Sequence, residues 1–349
     1  MKVDILIVGA GPAGMAAALA AAPSGARIAV LDDNPAAGGQ IWRDGPQAHL
    51  PALAREHRRR LEAQANIELL PASRVVALAG PQALLVEDPE QGRLIEYEKL
   101  ILCTGARELL LPFPGWTLPG VTGAGGLQAL IKGGLPVAGE RIVIAGSGPL
   151  LLASAATARD NGAQVLHILE QASWSAVAGF AAQLPRWPHK LLQSFGLFHR
   201  GYRASSHVVE ALGDGRLEAV SLNIGGQLRE IACERLACGF GLVPNLQLGQ
   251  ALGCRIDNSA IAVDAWQATS LAGVYAAGES TGFGGSEKAL VEGAIAGHVA
   301  VGAREAAQRL WSQRQRWHGF ARALNGAFAL GDAVKSLARS EERRVGKEC

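Results

Sequence analysis

The chain has 349 residues, enough for two domains or one large one and for a sizeable buried core. Apolar residues make up 49% and charged residues 18%, which fits a globular protein with much buried sheet. A net charge of +2 sets up no global field toward nucleic acid or an acidic membrane, and no apolar run reaches the roughly 18 residues needed to span a bilayer.

The mostly branched apolar run Val3 to Val8 leads straight into Gly9-x-Gly11-x-x-Gly14. An Ala-rich helical stretch follows, and a second apolar run, Ile28 to Leu31, ends at Asp32, 18 residues after Gly14. Strand, glycine turn, helix, strand and acid in this order predict a dinucleotide site. Gly9 permits a tight turn, Gly11 lets backbone approach a pyrophosphate, and Gly14 lets the helix pack close to the strand. The helix that starts at Pro12 and Ala13 presents the unpaired N–H groups that follow the proline, and a positive dipole end, to the anion. Asp32 is placed to accept hydrogen bonds from an adenosine ribose. A secretory signal over residues 1–22 is the competing reading, and Asp4 with three ordered glycines counts against it.

Asp33 opens a loop through Gly38, Gly39, Gln40, Ile41, Trp42 and Arg43, whose paired glycines allow close backbone approach to whatever Asp32 holds. Residues 51–65 read as an exposed helix, with Arg58, Arg59 and Arg60 on a solvated face. Ile67 to Leu70 and Arg74 to Leu78 read as strands, and Leu84 to Glu87 with Leu94 to Tyr97 as a hairpin. Lys99 to Ala106 reads as a buried strand ending in Thr104-Gly105. The five cysteines (Cys103, Cys233, Cys238, Cys254, Cys349) show neither C-x-x-C nor metal-ligand spacing, so a reduced, cytoplasmic protein without a redox disulfide or metal site is expected. Cys103 and Cys238 read as core residues.

A second cycle starts at Arg141. The strand Arg141 to Ala145 enters Gly146-Ser-Gly148-Pro-Leu-Leu151, a helix follows, and the strand Gln164 to Leu169 ends at Glu170. Leu151 stands where the third glycine belongs, and its side chain is expected to push the helix off the strand. A nucleotide bound here would meet Glu170, which favours a free 2′-hydroxyl over a 2′-phosphate by charge repulsion. Residues 180–203 mix aromatic and basic side chains, among them Arg186, Trp187, Phe195, Phe198 and Arg203, and read as helices packing on the second domain or meeting another subunit rather than as a nucleic-acid surface. Neither His189 nor His199 has a partner at ligand spacing.

Strands and turns run from Leu217 to Ala237. Residues 269–298 then repeat the order strand, glycine turn, helix, with Gly278-Glu279 in the turn. The helix start near Ser286 and Ala289 offers N–H groups to a developing negative charge.

Assembled, these elements resemble the flavoproteins with two dinucleotide-binding domains, the pyridine-nucleotide-disulfide reductase-like superfamily. The opening fingerprint with Asp32, the Cys103-Thr-Gly105 strand end, Gly146-x-Gly148 and Val274-Tyr-Ala-Ala-Gly278-Glu279 stand in that family's order over roughly residues 1–302. The resemblance implies FAD on the first and third elements: Gly9, Gly11 and Gly14 at the pyrophosphate, Asp32 at the ribose, and Gly278-Glu279 at the ribityl chain. Most members carry Asp where this chain has Glu279. Gly38-Gly-Gln-Ile-Trp-Arg43, Pro119-Gly-Val-Thr-Gly-Ala-Gly-Gly-Leu-Gln128 and Gly282-Phe-Gly-Gly-Ser-Glu287 further resemble the larger flavoprotein subunit of bacterial amine-oxidising complexes, a group that includes the flavoprotein subunits of opine oxidase, hydrogen cyanide synthase and hydroxyproline dehydrogenase.

The fold expected is α/β, with two Rossmann-like domains and the second inserted in the first. Residues 1–115 and 240–302 would bind FAD, and 116–239 would form an NAD(P)-binding-like domain, degenerate at Leu151. Residues 303–338, with Trp311 and Trp317 on a helical stripe, would lead toward a missing region, the only place where the group's [2Fe-2S] module would belong. The tail Arg339 to Cys349 looks like a translated sequencing adapter.

The function expected is that of an electron-transferring subunit working with a smaller flavin-containing dehydrogenase subunit. The alternatives are a stand-alone reductase using NADH and a scaffold whose FAD never cycles. No catalytic acid, base or nucleophile can be named. Gln40 and the N–H groups near Ser286 and Ala289 are candidates for touching the flavin ring.

Overall fold

The computed structural model describes residues 1–197 and 199–337. The expected adapter-derived tail 339–349, with Cys349, lies outside the described residues, as do Phe198 and Ala338. The chain forms two compact units, Met1–Arg107 with Val243–Ala321, and Glu108–Leu242 with residues 322–337. The architecture is α/β with two Rossmann-like sheets, and the second unit interrupts the first. Residues 303–337, expected as one segment, are shared: the helix Trp311–Ala327 starts in the first unit and ends in the second.

In the first unit five strands run parallel in the order Ile67–Leu70, Ile28–Leu31, Lys2–Val8, Gly92–Leu102 and Val274–Ala276. Their registers bring Leu70, Leu31, Val8, Leu102 and Ala276 level. The residues just beyond, Gly9, Asp32, Cys103 and Ala277, therefore line one edge, the carboxyl edge where open α/β sheets take their ligands. The segments Leu94–Tyr97 and Lys99 onward, expected as separate strands, form a single strand of 11 residues. Its first half pairs antiparallel with Ala83–Glu87 and alternates buried with exposed, while its last residues are wholly buried between parallel neighbours. The change of periodicity reads as a break in sequence although the backbone continues.

One sheet face is covered by the helices Pro12–Ala21, Ala52–Glu62 and Gly285–Ala300, which enclose Ile5, Ile7, Ile28, Val30 and Ile101. Helix Pro12–Ala21 has apolar residues all round and buries most of them, as a helix covered on every side must. It meets Gly285–Ala300 almost backbone to backbone. A Cβ on Gly293 would lie 2.0 Å from the Ala13 carbonyl oxygen, and one on Gly297 2.1 Å from that of Ala17. Trp311 and Trp317 pack with Val291, Ile295 and Val299 on the outer side of the same helix.

The second unit holds a parallel sheet in the order Tyr202–Arg203, Gln164–Glu170, Arg141–Gly146, Arg235–Gly239 and Val121–Gly123, with a three-stranded antiparallel sheet over Ser206–Ala232. The Glu108 carboxylate accepts the N–H groups of Gly125 (2.7 Å) and Gly126 (2.8 Å), meeting the orphan donors at the start of helix Ala124–Lys132. Leu151 is fully buried, and its side chain lies against Gly239 on the neighbouring strand, where a Cβ would come within 2.9 Å of it. The bulk expected to push the helix away is thus partly received by a glycine across the sheet. The helix still begins at Leu150, one place later in its turn than helix Pro12–Ala21 does. Helix Pro188–Gly196 has no fully buried residue, although Lys190, Leu191 and Ser194 are half-buried.

Arg141 and Glu234 tie two strand starts together. Glu234 accepts from the Arg141 backbone N–H at 2.7 Å and from its Nε at 3.0 Å. The hydrogen bond from the Arg141 side chain holds the Glu234 carboxyl down at about 2, against a usual value of 4.5. A carboxylate lowered in the folded state contributes stability above its usual value and loses it as pH falls toward the folded value. The Glu234→Gln variant is therefore expected to lose less stability than the parent between pH 4.5 and 2, read from urea midpoints. Identical acid limbs would show that the pair contributes nothing.

Candidate functional site

At the carboxyl edge of the first sheet the Gly9 N–H donates to the Leu31 carbonyl at 2.7 Å, closing the turn between the first two strands. A Cβ on Gly14 would lie 1.8 Å from the Gly9 carbonyl oxygen, so only glycine lets the helix sit this close. The helix start has no side-chain cap and no acid in its first turn, which leaves its N–H groups to meet an anion. Gly39 comes up from the loop after Asp32, where a Cβ would stand 3.0 Å from the Gly11 Cα. The two glycines make a cradle of bare backbone that any side chain would fill.

Asp32 is buried beside this cradle. Its Oδ2 accepts the Ala10 N–H at 2.6 Å, and its Oδ1 accepts from the Asn34 backbone (2.8 Å) and side chain (2.6 Å). These bonds fix the carboxylate at the edge of a cavity of about 330 Å³, lined among others by Ala10, Asp44, Arg58, Glu62 and Leu70. Arg58 does not belong to a solvated face as expected. It lies on the inner side of its helix with Ala54 and Leu61, four residues after one and three before the other. Its guanidinium bonds Asp44 at 2.5 Å and the Trp42 carbonyl at 3.1 Å, clasping the loop, while its Nε is buried with no partner. Arg59 and Arg60 remain exposed. The spacing from Ala54 to Leu61 is the signal that would have found Arg58.

The turn after Val274–Ala276 approaches the same helix start: a Cβ on Gly278 would meet those of Ala13 at 2.9 Å and Ala289 at 3.6 Å. Below it lies a trio outside the sequence expectations, the buried ion pair of Lys288 and Glu292 with half-buried His318 beside it. Lys288 donates to Glu292 at 2.7 Å and to the Gly282 carbonyl at 2.9 Å. Glu292 also accepts the Gly278 N–H at 3.0 Å and meets His318 Nε2 at 2.7 Å. Burial pushes the Glu292 carboxyl up, but Lys288 and His318 outweigh it and hold the group below its usual range. Glu279 turns its Oε1 to the Gly285 N–H at 3.2 Å, and burial raises its carboxyl. A lysine and a glutamate four apart on a mostly apolar helix were the available signal.

Other expected residues are spent differently. Asp33 is exposed and pairs with Arg74 at 3.1 Å, and exposed Gln40 receives Arg43 at 2.7 Å. Thr104 donates to the Asn245 carbonyl at 2.7 Å, and Asn245 answers through its side chain to the Thr104 carbonyl and its N–H to that of Gly105. Ser286 donates to Glu287 at 3.0 Å. In the second unit, fully buried Glu170 accepts the N–H groups of Gly148 (2.7 Å) and Ala172 (2.8 Å) and the Ser147 hydroxyl (3.1 Å). Burial raises its carboxyl, with these donors pulling the other way. Cys103, Cys233, Cys238 and Cys254 are buried free thiols, and the described residues contain no group of His, Cys, Asp and Glu that could hold a metal. No described helix is long and apolar enough to cross a membrane.

The sequence profile of the pyridine nucleotide-disulphide oxidoreductases matches residues 3–303, which carry both glycine turns and the Gly278 turn. The chain belongs to this family. The hydrogen cyanide synthase subunit HcnB of Pseudomonas protegens is 33% identical over 326 residues, 85% of this chain and 70% of that protein. An opine oxidase subunit of Rhizobium meliloti is 32% identical over 319 residues, 84% of this chain and 69% of that protein. A solved thioredoxin reductase of T. acidophilum has a TM-score of 0.64 at 23% identity, covering 89% of this chain and 98% of its own, a likeness of fold. Membership makes this an oxidoreductase and implies FAD and NAD(P) binding. The first unit fits FAD: it has a bare glycine cradle, an uncapped helix start, a fixed carboxylate and an unpartnered buried Arg58 Nε at one cavity.

Removing one member of a buried ion pair strands the other, whereas replacing both with apolar groups does not. Glu292→Leu is expected to cost about 3–5 kcal/mol in urea unfolding, and Lys288→Met with Glu292→Leu much less. Equal costs would mean that the trio is not electrostatically coupled.

Proposed function

We propose that this chain is the electron-transferring flavoprotein subunit of an amino-acid, opine or hydroxyproline-type dehydrogenase complex, paired with a smaller flavin-containing subunit that oxidises the C–N bond. The observation that carries the reading is identity of 32–33% along 84–85% of the chain to proteins named as subunits of hydrogen cyanide synthase and opine oxidase. The site's chemistry agrees. The described cysteines are buried free thiols, so the described residues hold no dithiol relay.

Within this reading Gly9, Gly11, Gly14 and Gly39, with the N–H groups of Ala13 and Gly14, hold the pyrophosphate, and Asp32 holds the adenosine ribose in the adjoining cavity. Arg58 keeps the Gly38–Asp44 loop closed over it. The Gly278–Glu279 turn, supported by Lys288 and Glu292, faces the middle of the dinucleotide, and the helix start at Ser286–Ala289 lends its N–H groups to the ring. FAD, when bound, supplies the electron-carrying chemistry.

Asp32→Ala removes a ribose partner and leaves the Ala10 N–H unpaired, a loss of about 1–3 kcal/mol. FAD affinity, followed by flavin fluorescence, is expected to fall by roughly one to two orders of magnitude. A dissociation constant within about twofold of the parent's would remove Asp32 from the site.

The subunit role has its own test. The FAD-loaded chain, mixed anaerobically with an opine, glycine or hydroxyproline, is expected to keep its flavin absorbance, and after photoreduction to pass electrons to ferricyanide. Rapid bleaching by any of these amines would abolish the need for a partner. A photoreduced protein that gives electrons to no acceptor would leave FAD a structural group.

A further inference from the structure

The second glycine turn repeats the letters of the first but has a different neighbour. In a dinucleotide turn the bare face of the middle glycine is where the pyrophosphate lies. At Gly11 that face looks only onto Gly39, with 3.8 Å from a built Cβ to the Gly39 Cα. At Gly148 it looks onto the side chain of Phe328, whose Cβ and Cγ both lie 3.8 Å from a built Cβ, ordinary van der Waals contact.

Phe328 is held there from several sides, all within the second unit. Ser147, the residue between the two glycines, donates its hydroxyl to the Phe328 carbonyl at 2.8 Å. Gln171, just after Glu170, donates to the Ala329 carbonyl at 3.0 Å and accepts the Gly331 N–H at 2.9 Å. It also donates to the Ser147 hydroxyl at 3.0 Å, so turn, strand end and segment form one network. The Phe328 ring stands edge-on to Phe180, with centroids 5.3 Å apart. Behind it Val334 is buried in the unit's core, with Leu330 and Leu337 packed alongside. Glu170, at the position of a ribose-binding acid, is fully buried and has both oxygens turned to Ser147, Gly148 and Ala172. Leu151 replaces the third glycine.

These residues do not fit the nicotinamide dinucleotide that the family implies. We propose that residues 328–331 are a built-in occupant of the second turn, and that their docking and nicotinamide dinucleotide binding exclude each other. The inference is independent of the proposed subunit role, since it concerns only the second unit. Its energetic form is simple: a ligand that binds only the undocked state has its affinity reduced by the fraction of molecules in that state. A segment released about 1% of the time weakens binding about a hundredfold.

The test is calorimetric titration of the FAD-loaded chain with NADH and with NADPH, run beside hydrogen exchange over residues 322–337. The parent is expected to show no saturable binding below about 1 mM, the upper end of ordinary substrate constants. The Gln171→Ala, Phe328→Ala variant removes the ring from Gly148 and the Gln171 contacts to Ala329, Gly331 and Ser147, while every residue of the turn itself stays in place. It is expected to exchange faster at 328–331 and to bind NADH at least about tenfold more tightly than the parent. Micromolar binding by the parent with exchange at 328–331 unchanged would overturn the proposal. So would a variant with a freely exchanging segment and no gain in affinity, because the turn rather than its occupant would then be at fault. Should the double variant not fold, Gln171→Ala alone, which frees the Ala329 and Gly331 contacts but keeps the ring, is expected to move exchange and affinity in the same direction by less, and faster exchange with no gain in affinity would again overturn the proposal.

Discussion

Helix Pro12–Ala21 is held by backbone on two sides with no side chain between. Gly14 rests on the carbonyl of Gly9, and Gly293 and Gly297 of the long helix rest on the carbonyls of Ala13 and Ala17. Overpacking at such contacts typically costs about 1–3 kcal/mol, so the helix has little freedom to slide or tilt. Its start is thereby fixed against the first strand and against the helix that follows the Gly278 turn. Elements more than 260 residues apart in sequence come to one edge of one sheet, where level registers have already aligned the strand ends. A pre-organised candidate site of this kind depends on the rigidity of its supports more than on any one contact.

The polar groups inside the first unit serve that geometry. Lys288 and Glu292 are two charges taken almost wholly out of water, and an ion pair so placed is a weak source of stability. Their partners show what else they do. Between them they bind the Gly278 N–H, the Gly278 and Gly282 carbonyls and the Thr281 hydroxyl, which are the polar groups of a short irregular turn that could not otherwise be buried. Asp32 works alike on a smaller scale, since its bonds to Ala10 and Asn34 orient the carboxylate before any ligand arrives.

Much of this first site was readable in the sequence because its information is local. Gly9, Gly11, Gly14 and Asp32 act through spacing along a single strand, turn, helix and strand, and spacing is what a sequence displays. Arg58 escaped because three consecutive arginines read as a charged surface, although the position shared with Ala54 and Leu61 pointed inward. The Asn245 clasp on Thr104 and Gly105 joins residues 141 apart, and nothing near either end announces it. Leu151 shows the same limit from the opposite side. Its size was visible in sequence, but the room made for it by Gly239, on a strand nearly ninety residues away, was not.

The two glycine turns therefore separate what a fingerprint encodes from what a site requires. Each turn ends a buried parallel strand, and each acid accepts an N–H from its own turn, Ala10 to Asp32 and Gly148 to Glu170, at nearly the same distance. Up to this point local sequence produces the same object twice. The difference arises from the residue that long-range folding sets on the bare face of the middle glycine. Gly39, itself without a side chain, leaves a cradle open beside a cavity, whereas Phe328 fills the equivalent space with a ring and brings its own carbonyl to the turn's hydroxyl. A buried hydroxyl in the turn needs an acceptor, and a peptide carbonyl serves as readily as a phosphate once the chain delivers it. The turn motif specifies a need for polar partners, and the tertiary fold determines whether a ligand or the chain itself meets that need.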